Sequence, residues 1–243
     1  MWPLYRKELL GFFSTLTGYI AGGVFFVLVG LLMWVLPTRW NVLLNGEASL
    51  STLFTLAPWV FLFLVPAVTM RMLSDERRDG TLDLLLTRPV SEWTIVLSKF
   101  LAAWSLVLIL LLPTLVYYVS VMLLADSGAP LDQGATWGSY LGLVFLGGVY
   151  AAFGIWVSAL TSNALVSFLL TMLFSLLFYV GFDTLAHLDV FSLVEYGVAW
   201  LGVAEHYRAI SRGVVDSRDV VYFFSLIALV LTLASVSLKR RRG

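Results

Sequence analysis

The chain contains no cysteine, which excludes disulfides and thiolate metal sites. Its only two histidines, His187 and His206, are too far apart in sequence to suggest a metal centre. Charge is scarce as well: 12% of the 243 residues are Asp, Glu, Lys or Arg, and the formal net charge is zero. Against 60% hydrophobic residues, that leaves too little polar surface to coat a soluble globule. The chain belongs in a bilayer. Equally absent are a GxxxxGK[ST] phosphate loop, an HExxH pair, a GxSxG elbow and any carboxylate or Ser/His pair in mid-span, so no catalytic residue, cofactor site or metal site is expected. Proton- or sodium-driven transport needs ionisable groups near the bilayer midplane, and their shortage points to energy arriving from elsewhere. No repeat, linker or separate soluble domain is evident, and nothing points to nucleic acid.

What the chain does have is uncharged runs, at 9–38, 48–70, 100–126 up to its terminal aspartate, 133–182 and 220–238. A transmembrane helix needs about 20 apolar residues. The fourth run is about twice that length and breaks at its polar cluster, Thr161-Ser162-Asn163. The reading is a single transmembrane domain over 1–243 with six helical spans, near 18–36, 52–73, 93–124, 137–160, 164–182 and 219–238. These runs lack strand alternation, so the expected fold class is an all-α integral membrane protein.

Ahead of the first span, Trp2, Tyr5, Leu9, Phe12, Phe13 and Leu16 form an apolar stripe at helical spacing, flanked by Arg6, Lys7 and Glu8. That pattern predicts an amphipathic helix lying in the membrane interface. The uncharged run 9–38 is far longer than a secretory signal core, so this segment is expected to remain in the mature protein. Basic residues set the orientation. With the N-terminus inside, Arg6, Lys7, Arg71, Arg77, Arg78, Arg88, Lys99, Lys239, Arg240, Arg241 and Arg242 fall on the inner side, against Arg39, Arg208, Arg212 and Arg218 outside. Both termini are therefore expected in the cytoplasm.

Between spans two and three, residues 74–92 hold eight of the thirty charged side chains. Gly80 can take the left-handed geometry that ends one helix, and Thr81 can cap a second, short one. Leu82, Leu85 and Leu86 share the apolar face of that second helix, Asp83 and Thr87 lie off it, and Pro89 stops it within two turns. Ser91 can cap the third span. So short a helix must be held by whatever it touches. A solvated loop between spans is the competing reading of these residues. Between spans five and six, one or two short outer helices are expected, packed on protein. There Arg208 and Arg212, four residues apart, share a helix face that with Glu205 and Tyr207 is a candidate contact for an outer partner. A solvated face explains them as well. Pro58, Pro66 and Pro113 read as kinks, Gly142, Gly147, Gly148 and Gly154 as close-packing positions, and each histidine as an ordinary hydrogen-bonding group.

Six spans, the Arg6-Lys7-Glu8 helix and the stretch Glu-Arg-Arg-Asp-Gly-Thr-Leu-Asp-Leu-Leu-Leu-Thr-Arg-Pro-Val at 76–90 together resemble the ABC-2 family of ATP-binding-cassette permeases. Residues 56–71, Gly181-Phe182-Asp183 and 211–220 further resemble its gliding-motility-associated branch. The resemblance implies a permease subunit in the bacterial inner membrane that works with a separate cytoplasmic ATPase, which itself binds ATP and Mg. It also implies a second permease copy and an accessory membrane-anchored subunit with a periplasmic domain. Carried over by position, Asp75, Glu76, Arg77, Arg78, Gly80, Thr81, Leu82, Asp83, Leu85 and Leu86 would form the ATPase-coupling site. Leu82, Leu85 and Leu86 would fill the ATPase groove, and the charged residues would supply flanking pairs. A non-transporting membrane scaffold for a periplasmic complex is the alternative.

Overall fold

The computed structural model describes residues 1–14, 16–46, 49–87, 90–125, 131–186 and 195–242. Among them there is no strand, and six helical stretches are long and apolar enough to cross a membrane. The protein is an all-α, multi-pass membrane protein.

A surface helix, α1 (Trp2–Phe13), precedes the first span, α2 (Leu16–Gly30), which continues as a π-helical turn to Val35. Pro3 sits in the first turn of α1, where its missing N–H costs nothing. Leu4, Leu9, Phe12 and Phe13 pack on the core, while Trp2 is 69% exposed. A one-turn helix, α3 (Val42–Asn45), caps itself through Asn41 and closes with Gly46 in the left-handed region. The second span begins as α4 (Ser51–Thr69). Its ladder breaks at residues 70–73, and the chain resumes as α5 (Ser74–Arg78) and α6 (Thr81–Leu86). The third span is α7 (Glu92–Leu111) and α8 (Leu115–Leu124), joined by a 3-10 turn at Pro113.

The fourth span, α9 (Gln133–Leu160), is the axle of the molecule. Asp132 caps its start, and nearly every residue from Gly138 to Ala159 is buried under α4, α7, α10, α13 and α14. Small residues make that possible: Gly147 lies on Val107 and Gly154 faces Thr69 of α4 without room for a side chain. Asn163 caps α10 (Ala164–Leu176), which passes through a π-helical turn into α11 (Phe182–Ala186). Two short helices, α12 (Glu195–Trp200) and α13 (Val203–Ser211), lead to the last span, α14 (Ser217–Arg242). Because successive spans alternate in direction, α1, the α5–α6 corner, the Thr161–Asn163 turn and the end of α14 share one end of the bundle. The helices α3, α12 and α13 share the other.

Candidate functional site

At the α1 end, Gly80 adopts φ 72°, the left-handed conformation that only glycine takes without strain. It turns the chain from α5 into α6. The placement of the α6 side chains differs from the expected apolar stripe. Leu82 is 1% exposed and belongs to the core of this chain, so it is not free to fill an outside groove, and Leu85 is half-buried against that core. The leucine that faces out is Leu84, 68% exposed, beside exposed Asp83 and Thr81. Packing of the stub helix onto its own bundle consumed the Leu82 face, which spacing alone could not assign to inside or outside. The side chain of Leu86, and Arg88 and Pro89 entirely, lie outside the described residues. Thr81 does not cap α6; its hydroxyl donates to the Glu76 carbonyl at 3.3 Å.

The α5 side chains divide into inward and outward sets. Arg77 reaches inward and donates to the Ala159 carbonyl at the end of α9, 3.0 Å away. Arg78 stays on the surface, 3.5 Å from Asp75 and 3.2 Å from Asp79. Glu76 turns inward to Lys99 of α7, at 3.0 Å. Lys99 has no exposed surface, and its ammonium also donates to Glu8 of α1 at 2.8 Å and to the Met72 carbonyl at 2.6 Å. Lys7 closes the ring, 3.2 Å from Glu76 and 3.6 Å from Glu8. Burial works against the Lys7 charge, but the two carboxylates outweigh it and hold its pKa above the ordinary lysine value. Two lysines and two glutamates, from α1, α5 and α7, form a charge-neutral ring.

In the sequence, Lys99 counts toward orientation and Glu8 belongs to the Arg6-Lys7-Glu8 flank of α1, and nothing there joins them. The signal was a single cation one to two turns inside the apolar third span, where charge is costly unless paired. Between α1 and α6 lies a cleft of about 620 Å³, lined by Met1, Pro3, Leu4, Thr81, Leu84 and Leu85 among others.

At the opposite end, the four candidate contact residues do not form one face. Tyr207 is buried, its hydroxyl donates to the Phe54 carbonyl at 2.8 Å, and burial pushes its pKa up. Arg208 is engaged by Asp183 at 2.7 Å and Glu205 at 2.8 Å. Burial opposes its charge, but the two acids raise its pKa, so it stays cationic. Arg212 is exposed and makes no ion pair among the described residues. Tyr207, Arg208 and Arg212 instead line a hydroxyl-rich cavity of about 690 Å³ between the starts of α4 and α9. His206 is buried, with Nδ1 2.6 Å from Asp219 and Nε2 2.8 Å from the Trp200 carbonyl. His187 lies outside the described residues. Among the described residues, no group of three or more His, Asp or Glu is placed to hold a metal.

The geometry is that of a multi-pass membrane protein that turns a short, outward-facing helix on a glycine corner between its second and third spans. A family model described as ABC-2 family transporter protein matches residues 44–191, more than half of the chain and including this corner. The chain belongs to the ABC-2 transporter family, whose membership marks it as a permease subunit of an ABC transporter; the family implies partnering with an ATP-binding subunit. Members of the family are generally not catalytic themselves. No curated protein matches the chain.

Proposed function

We propose that this permease couples ATP hydrolysis by a separate cytoplasmic ATPase, which holds the ATP and Mg, to export or to force transmission across a bacterial inner membrane. The observation that carries the reading is the exposed face of α6, Thr81, Asp83 and Leu84, held out from the bundle by the left-handed Gly80 corner. Leu84 also lines the open cleft of about 620 Å³ beside α1, so it offers a partner an apolar contact flanked by the polar Thr81 and Asp83. The excess of basic residues at the same end supports a cytoplasmic position for it. One six-helix bundle supplies half of a two-fold pathway, so a second permease copy completes it. By resemblance, an accessory subunit with a periplasmic domain stands at the opposite end, and gliding motility is one output that such a machine serves.

The test is a purified complex of this chain with its ATPase, reconstituted in lipid. Leu84→Asp is expected to abolish ATPase binding while the spans stay folded. Gly80→Val is expected to permit binding but lose stimulation of hydrolysis, because a β-branched residue at φ 72° re-aims α6. Normal binding and stimulation in Leu84→Asp would overturn the coupling assignment. Binding without stimulation by the native chain would favour a docking scaffold.

A further inference from the structure

The second span is not a continuous rod into the corner. The ladder of α4 stops at Thr69, and the Leu73 and Ser74 amides both donate to Ser158 Oγ of α9, at 2.9 and 3.0 Å. The freed Met70 carbonyl accepts from the Ser74 and Ser158 hydroxyls, and the freed Met72 carbonyl accepts from Lys99. A side chain inserted into the i→i−4 ladder is one of the places where a helix kinks. Motion of the corner therefore has an alternative to travelling along α4, and the charge ring supplies it. Lys99 donates to Glu8 in α1 and to the Met72 carbonyl in the break, and pairs as an ion with Glu76 in α5 at 3.0 Å. A second tie, Tyr5 Oη to Ser105 Oγ at 3.0 Å, holds α1 on α7 one turn away.

We infer that Lys99 is a positioning residue that joins the interfacial helix α1 to the α5–α6 corner, so that the two move as one body when the corner is displaced. Work delivered at the corner then enters the bilayer interface through α1 as well as the core through α9. This rests on the coupling reading above. Simple glue would not require charge: buried ion networks replaced by neutral or apolar groups often leave stability unchanged or higher, whereas removing one member alone strands the others. The informative variant is therefore Lys99→Met/Glu8→Gln/Glu76→Gln.

The absence of cysteine lets pairs of introduced cysteines carry spin labels without background. Gly11, with open space at its Cβ, and exposed Thr87 report the distance from α1 to the corner. Thr87 with Val214, 71% exposed, reports the corner against the opposite end. In the complete complex in lipid nanodiscs, ATP binding is expected to shift the Thr87–Val214 distance and leave Gly11–Thr87 unchanged. In the triple variant, with the melting temperature and ATPase binding retained, Gly11–Thr87 is expected to shift or broaden on ATP binding and stimulation to be lost. A Gly11–Thr87 shift in the otherwise native chain would overturn the inference, as would an unchanged, narrow distance in the triple variant with ATPase bound. If the triple variant fails to assemble, the native pair still decides. An ATPase that does not bind the native chain sinks the coupling reading itself.

Discussion

His206 shows how one side chain can secure a helix that the membrane would otherwise disfavour. Its ring nitrogens face two acceptors, Asp219 at the start of α14 and the Trp200 carbonyl at the end of α12, and the ring stacks on Tyr222 with centroids 3.8 Å apart. Three elements thereby meet on one imidazole. His206→Ala takes the ring partner from the buried Asp219 carboxylate and from the Trp200 carbonyl, a loss of roughly 1–3 kcal/mol. It is expected to lower the melting temperature of the purified permease without touching ATPase binding at the far end. An ordinary hydrogen bond for His206 is legible in the sequence but its partners are not, because neither the thirteen-residue separation from Asp219 nor a backbone carbonyl leaves a mark in the chain. Lys99 is the sharper case. Its isolation in an apolar run was visible, but which carboxylates neutralise it depends on how α1 and α5 pack on α7.

The elements themselves were largely legible. The uncharged runs, the polar Thr161-Ser162-Asn163 break and the Ser91 cap all reappear in the helices observed, because length, polarity and capping are local properties. The orientation of α6 was not legible: a leucine stripe says which residues share a face and nothing about whether that face meets the bundle or another protein. Nor was the break in the second span, since Met70, Arg71, Met72 and Leu73 contain no helix breaker and the disruption comes from Ser158 and Lys99. Helix contact along α9 depends on its glycines. A Cβ on Gly154 would overlap Thr69 of α4, itself hydrogen-bonded to the Val65 carbonyl at 2.9 Å and unable to withdraw. Gly154→Val is expected to cost about 1–3 kcal/mol or more through overpacking. Loss of the monodisperse detergent-solubilised peak, or a lowered melting temperature, would register it; unchanged stability would show that α4 can shift.

As a whole, the molecule is a bundle with two unlike ends. One carries the corner, the charge ring and the basic last turn of α14; the other carries α12, α13 and a cavity where Asp132 and Arg212 bring both signs of charge to a hydroxyl-rich wall. The proposed orientation is tested directly by single cysteines in this cysteine-free chain. Thr87→Cys is expected to react with a membrane-impermeant maleimide only after the cell is opened, and Val214→Cys in intact spheroplasts. The reverse pattern would invert the molecule and remove the corner from reach of any ATPase.

The stitched break in the second span also dictates an order of assembly. Glu8 and Glu76 both precede Lys99, so the charge ring can close as soon as the third span has left the ribosome. Ser158 is synthesised some sixty residues after Lys99, at the end of the fourth span. Until it arrives, the Leu73 and Ser74 amides have no acceptor from α9, and the nascent chain waits with a loose joint above a finished clamp.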